Sequence, residues 1–324
     1  MAEAPRRVFI TGALGFIGRV LADRYAESGA EVRGVDVTAD QERGVVAGDV
    51  TEPGEWQKHA EGCDLVLHLA AIIGFGGKYE DFWRVNVIGT RHALDAAVRG
   101  GARRFVQTSS IVVFGNDFTG EVDESTPVRG TGVPYTDTKI AGEQLVLQAH
   151  AAGELPCTVI RPGDVYGPAS RPWVILPLEA MRRRQLVLPA RGRGLISPVY
   201  VDDLVEGYIR AAAEPRAAGQ VLTVTGSRSV ETREFFRHHF DWLGMRGPVG
   251  IPTPIAITLA SVGAAAYRLA GSQSEANAGA ARYLTRRGTI SIDKARSLIG
   301  YEPAVDLEEG MRRTRAWAQE TGLI

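Results

Sequence analysis

With 324 residues, 44% of them hydrophobic and 23% charged, the chain can bury a large core, as one large domain or two intimate ones, and its composition excludes disorder or coiled coil as a global description. Its 37 basic and 38 acidic side chains leave a net charge of −1 with no long block of one sign, so bulk electrostatics gives nucleic-acid binding no support. Cys63 and Cys157 stand in apolar surroundings, outside any metal-ligand spacing, so neither a disulfide framework nor a metal site is expected.

No apolar stretch with a cleavage site precedes Arg7, and a cytoplasmic location is therefore expected. From there, short apolar, β-branched runs predict strands over Arg7–Thr11, Glu31–Asp36, Asp64–Leu69, Arg103–Thr108 and Cys157–Arg161. Apolar residues at three- and four-residue spacing predict helices between them, over Gly15–Ser28, Tyr79–Arg99 and Tyr135–Ala152. Strands alternating with helices imply an α/β fold, a doubly wound parallel sheet. Beyond Pro162 the pattern changes to helices near Pro172–Arg184, Asp202–Ala213, Thr232–Leu243 and Leu307–Thr321, with short strands near Val187 and Val221. The expected division is a dinucleotide-binding part over 1–165, with returns from later segments, and a smaller, mostly helical substrate-binding region over 166–324. The apolar run Ile255–Ala270 is too short to span a membrane and contains Arg268. It predicts a buried or substrate-covering helix, with weak contact to a membrane surface near 255–270 as the alternative.

The strand Arg7–Thr11 runs into Gly12, Gly15 and Gly18 and then a helix. Glycines there permit a tight turn and close approach of a pyrophosphate, and the helix N-terminus offers free N–H groups. A glycine triplet alone is weak evidence, but Asp36 follows at the end of the next strand, about 20 residues on, as dinucleotide binding requires. A carboxylate there accepts ribose hydroxyls and repels a 2′-phosphate, so NAD is the expected cofactor, with Arg33 the one nearby cation that could admit NADP. Asp49 and Val50 follow the third strand, where either an adenine contact or an ordinary Asx turn is expected.

Tyr135 and Lys139 lie one turn apart on one helix face. A nearby ammonium and a cationic nicotinamide favour phenolate, which makes the tyrosine an acid–base group. Such a pair also occurs by chance on solvated helices. Thr108, Ser109 and Ser110 end the strand Arg103–Thr108, at the edge where open α/β sheets bind ligands.

TGALGFIG (11–18), HLAA (68–71), NVIGT (86–90), TSSIVVFG (108–115), PYTDTK (134–139) with Glu143, RPGDVYGP (161–168), VYVDDLVEG (199–207) and DKARSLIGYEP (293–303) occur in order from end to end. In these motifs the chain resembles the extended short-chain dehydrogenases/reductases, of NAD-dependent epimerase/dehydratase type. HLAAIIGFGG, FWRVNVIGT and FVQTSSIVVFG are most similar to the 3β-hydroxysteroid dehydrogenase branch. The resemblance implies a Rossmann-type sheet and an enzyme whose catalytic residues are Ser110, Tyr135 and Lys139, with Asn86 supporting the lysine and a proton-relaying water. It also implies cofactor contacts from Gly12, Gly15, Phe16, Ile17, Gly18, Asp36, Asp49, Val50, Leu69, Ala70, Ala71, Thr108, Tyr135, Lys139, Pro162 and Val165. Phe114 stands where many relatives carry Tyr, removing one hydroxyl near the substrate.

The expected reaction moves a hydride between a secondary alcohol or ketone and NAD. Nucleotide-sugar relatives carry a diphosphate-binding Arg where this chain has Ile196, followed by Ser197 and Pro198, although Arg191 and Arg193 lie just upstream. An apolar small-molecule substrate is therefore expected: a 3β-hydroxysteroid, a sterol or a long-chain 3-hydroxy compound, with Gly74–Gly77, Trp173 and the segment Pro252–Ala270 walling its cleft. The alternatives are a nucleotide-sugar 4-epimerase or dehydratase and a non-catalytic dinucleotide sensor. A homodimer through the helices at 79–99 and 135–152 is expected from the resemblance.

Overall fold

A computed structural model describes residues 4–269 and 277–324; Met1–Glu3 of the first expected domain and Ala270 of the apolar run lie outside them. In chain order the first half forms β1 (Arg7–Thr11), α1 (Phe16–Glu27), β2 (Glu31–Asp36), β3 (Val45–Ala47), β4 (Leu65–His68), α2 (Tyr79–Trp83), a π-helical turn Arg84–Ile88, α3 (Gly89–Gly100), β5 (Arg104–Thr108), β6 (Glu121–Val122), α4 (Pro134–Ala151) and β7 (Cys157–Pro162). The second half adds β8 (Asp164–Tyr166), α5 (Leu176–Arg182), β9 (Leu195–Ile196), β10 (Pro198–Tyr200), α6 (Val201–Ala213), β11 (Val221–Val224), β12 (Val230–Glu231), α7 (Thr232–Trp242), α8 (Thr253–Leu269), α9 (Ala278–Tyr283), β13 (Thr289–Ile290), α10 (Asp293–Ile299) and α11 (Leu307–Glu320).

Seven parallel strands form one sheet in the order β11-β7-β5-β4-β1-β2-β3. Both faces are covered, and strand alternation divides the core between them. Val8 and Ile10 of β1 face Leu21 and Tyr25 of α1 and Leu204 and Tyr208 of α6, whereas Phe9 faces the layer holding Leu94 of α3 and Val146 of α4. The strand order reverses between β1 and β4, which opens a crevice at the strands' carboxyl ends.

Three predicted elements differ. The helix expected over Tyr79–Arg99 is interrupted by the π-turn at Arg84–Ile88, and the one near Pro172–Arg184 begins with a π-turn at Arg171–Ile175. No strand forms at Val187, where the neighbouring Leu188 makes one bridge to Gly250. Among the described residues, no helix is long and apolar enough to cross a membrane, and α8 exposes Ile255, Leu259 and Val262 along one face.

Candidate active site

The loops after β1, β2, β4, β5 and β7 meet at the carboxyl edge of the sheet. Gly12 has φ +71°, and a Cβ there would stand 2.8 Å from the Ala70 nitrogen, so the loop after β1 lies directly against the one after β4. Gly18 packs so closely on the Gly12 carbonyl that a Cβ would approach it to 2.2 Å. Gly15 caps α1 without a side-chain acceptor, and the first turn, which Phe16 and Ile17 open, holds no acidic residue. That arrangement suits a phosphate. Both Asp36 oxygens are oriented by main-chain amides, Oδ2 by Leu14 (2.9 Å) and Oδ1 by Val37 (2.8 Å). Arg33 is turned to Glu31, donating from Nε at 2.7 Å, so its charge is spent away from Asp36. These residues fit NAD.

Asp49 forms the Asx turn, accepting the Thr51 amide at 2.8 Å. The Val50 side chain packs in the core behind β1 and β4, so a cofactor contact there would be made by its main chain. Leu69, Ala70 and Ala71 are half-buried beside the glycine loop, and Pro162 and Val165 end β7 and enter β8.

A chain of hydrogen bonds braces this edge. The Thr90 hydroxyl donates to the Asn86 carbonyl (2.7 Å) and so accepts from His68 Nε2 (3.0 Å). His68 Nδ1 then accepts from Thr11 Oγ1 (2.6 Å), which in turn accepts the Ala70 amide (3.3 Å). Burial, with the nearby Lys139 charge adding to it, pushes His68 down to about 3. It is a neutral strut, and sequence reading did not single it out.

On α4, Tyr135, Lys139 and Glu143 share one buried face. Lys139 Nζ donates to the Thr108 carbonyl at 2.9 Å and lies 5.9 Å from the centre of the Tyr135 ring. Burial lowers Lys139 to about 8, while the Glu143 carboxylate acts in the opposite direction. Ser110 accepts the Val112 amide (3.3 Å) and hydrogen-bonds the Tyr135 phenol. The expected fall in the tyrosine pKa does not occur in the protein by itself. Burial dominates and lifts Tyr135 to about 12; the bond from Ser110 lowers it, and the Asp164 charge raises it further.

Ser109 points the other way, donating to Glu143, which Arg161 grips through two bonds of 2.8 and 2.7 Å. Phe114 is buried under the Arg161 guanidinium (4.9 Å) among Ile111, Val122 and Ile290, away from the cluster that holds Tyr135. Asn86 is 2% exposed. Its amide accepts the Ile72 nitrogen (2.8 Å) and donates to the Ile72 carbonyl (3.1 Å) and to the Thr138 hydroxyl (3.0 Å), because the π-turn aims it at the loop after β4.

Tyr135 belongs to an apolar cluster with Ile72, Phe75, Phe82, Val112, Val133, Trp173, Tyr283 and Leu284. Trp173 and the glycine-flanked Phe75 thus stand where a cleft wall was expected. Among the described side chains, the segment 252–269 contributes none to that cluster, and α8 packs on α9. Ile196 is fully buried in β9, Ser197 is half of a hydrogen bond with Ser229 (2.9 Å), and Arg191 and Arg193 are exposed. Sequence reading missed Arg286, which is 1% exposed and ion-paired with Asp164 at 2.9 Å.

Residues 8–224 match the NAD dependent epimerase/dehydratase family. The chain is 30% identical to a 4-hydroxy-2-methyl-3-oxo-4-farnesyl-3,4-dihydroquinoline-1-oxide ketoreductase of Stigmatella aurantiaca, over 95% of this chain and 96% of that protein. It is 29% identical to a 3 beta-hydroxysteroid dehydrogenase/Delta 5→4-isomerase of Mycobacterium tuberculosis, over 94% and 88%. Among solved structures, MoeE5 in complex with UDP-glucose and NAD superposes with a TM-score of 0.78 at 25% identity, covering 97% of this chain and 99% of that one.

Proposed function

Because the chain belongs to the NAD dependent epimerase/dehydratase family and is an NAD-dependent enzyme of the extended short-chain dehydrogenase/reductase type, we propose that it moves a hydride between a hydrophobic secondary alcohol, or its ketone, and the nicotinamide. In this reading residues 1–165 hold NAD and 166–324 close over the substrate. The observation that carries it is the apolar cluster around Tyr135, with Phe75, Trp173 and Tyr283 as its large rings. Arg286 reaches that cluster over the Tyr283 ring, but Asp164 neutralises it and it is 1% exposed, so it is not offered to a diphosphate. The buried Ile196 and the exposed Arg191 and Arg193 support the same choice. At about 25 cal/mol per Å² of apolar surface removed from water, a steroid-sized ligand gains micromolar binding without an ion pair. The substrates favoured are 3β-hydroxysteroids, sterols and long-chain 3-hydroxy compounds.

NAD, when bound, supplies the hydride acceptor. Ser110 orients the substrate oxygen, and Tyr135 takes the hydroxyl proton as the carbonyl forms, or returns it in reduction. Lys139, whose ammonium now donates to the Thr108 carbonyl, would hold the nicotinamide ribose hydroxyls and stabilise phenolate against the burial that opposes it. Asn86 positions the loop after β4 by its two bonds to Ile72.

The exposed Tyr79, Trp83, Ile88 and Val98, on α2, the π-turn and α3, support a homodimer through that surface. The exposed apolar face of α8 supports weak contact with a lipid surface. The substrate reading is tested by offering the purified protein and NAD a panel of 3-hydroxysteroids and long-chain 3-hydroxy compounds beside UDP- and dTDP-sugars. NADH formation from the apolar alcohols alone is expected. Epimerised or dehydrated sugar, with no turnover of the alcohols, would falsify the reading.

A further inference from the structure

A buried ion pair stands behind the apolar wall of the proposed site. Asp164, on β8, and Arg286, after α9, are 2% and 1% exposed and meet through Oδ2 and Nη2 at 2.9 Å. The same Oδ2 accepts the Ser197 amide at 2.7 Å, and Oδ1 accepts the Tyr283 hydroxyl. The Arg286 guanidinium lies 3.8 Å from the centre of the Tyr283 ring. Tyr283 is therefore fixed twice, its hydroxyl by the carboxylate and its ring by the guanidinium. The ring also meets Phe75 at 5.4 Å and Trp173 at 6.3 Å, within the cluster that contains Tyr135.

Stability alone is a poor account of this pair. Two desolvated charges roughly cancel their own attraction, and well-packed apolar residues commonly serve as well or better. What apolar residues could not do is hold the phenol by its hydroxyl. With that hydroxyl given to Asp164, Tyr283 offers the site only carbon.

We propose that Tyr283 is the specificity-determining residue of the site, held by Asp164 and Arg286 as a positioning pair, and that it selects a carbinol whose neighbouring carbons bear no hydroxyl. This rests on the hydride-transfer reading above and sharpens its substrate class. A hydroxyl beside the reacting carbon, as every sugar ring carries, would be pressed against the Tyr283 ring without a hydrogen-bond partner, which buried polar groups do not tolerate cheaply.

The test measures kcat and KM with saturating NAD for a 3-hydroxysteroid and its 2,3-diol. The wild-type enzyme is expected to prefer the mono-alcohol at least 100-fold in kcat/KM. Tyr283→Phe, which keeps the ring but loses the carboxylate's hold on it, should lower that preference in the same direction as Tyr283→Ser but by less. Tyr283→Ser, which adds room and a hydroxyl, should cut it at least tenfold, through KM and not kcat, with NADH affinity unchanged. Asp164→Asn should erode it in the same direction by freeing the ring. Unaltered preference in Tyr283→Ser overturns the role of Tyr283, and unaltered preference in an Asp164→Leu/Arg286→Met double variant overturns that of the pair. If the wild type acts on a nucleotide sugar instead, the apolar-substrate reading fails by itself. Tyr283→Ser is then scored on that sugar, where a tenfold lower KM keeps Tyr283 as the determinant and no change removes it. Absence of turnover on both classes overturns both proposals.

Discussion

Tyr135 and Lys139 are both buried, and burial acts on them in opposite directions. The phenol is held at about 12 and the ammonium at about 8, so burial disfavours the charged form of each when the protein is alone. Tyr135→Phe removes the transferable proton and little else. Turnover is expected to fall by roughly three or more orders of magnitude, with NADH affinity, read by fluorescence titration, nearly intact. Lys139 behaves differently. Its ordinary value of 10.5 is depressed by the fold, so the unfolded chain binds its proton more tightly, and stability rises as pH climbs from about 8 to 10.5. Keeping the charge buried below pH 8 costs on the order of 3 kcal/mol. Lys139→Met is therefore expected to stabilise the NAD-free protein at pH 7, by up to about that amount, and to lose the advantage near pH 10.5. It should also weaken NAD binding. Denaturant melts of both proteins across that pH range check the point.

At the scale of elements, the glycine loop and its helix behave as one object. Gly18 lies so close to the Gly12 carbonyl that Gly18→Ala, with a Cβ at 2.2 Å, has to push α1 away from the loop. We expect a loss of NAD affinity of tenfold or more and a stability loss of about 1–3 kcal/mol, read by titration and by thermal melts. Strands β1, β4, β5 and β7 were legible because each is buried almost throughout and therefore reads as a largely apolar run, and α1 because its glycines and apolar spacing mark both its start and its buried face. The π-turn at Arg84–Ile88 was not legible: one extra residue per turn leaves the apolar residues on either side in helical spacing. Val187 failed for another reason, since a short apolar run becomes a strand only where a sheet edge is free to receive it, and beside it Leu188 meets only Gly250. Tyr135 and Lys139 were legible as a pair because their spacing within one helix is local, whereas the choice of Ser110 among Thr108, Ser109 and Ser110 came from the family resemblance. The Asp164–Arg286 pair joins positions 122 residues apart, and no local pattern announces such a partner.

For the whole molecule, α4, which carries Tyr135 and Lys139, and its neighbour α3 lie on the outside of the sheet, packed on each other. The stacked Tyr79 and Trp83, with Ile88 and Val98, leave an apolar stripe on the solvent side. A dimer in sedimentation experiments is the expected state. Ile88→Glu should shift it to monomer and lower activity indirectly, by loosening the layer that carries Tyr135.

The two thiols add a clock. Cys63 and Cys157 are 1% and 0% exposed and sit in the same core layer, between the sheet and α3 and α4. Burial raises both pKa values, Cys157 to about 12. A disulfide reagent attacks thiolate, so in the intact protein it finds neither residue. Each labelling event therefore records a moment when that layer has parted. If parting also releases NAD, labelling should slow in proportion to 1 + [NAD]/Kd, by about a hundredfold at a hundred times Kd. A rate indifferent to NAD would mean instead that α3 and α4 lift from the sheet while the glycine loop stays closed on its ligand.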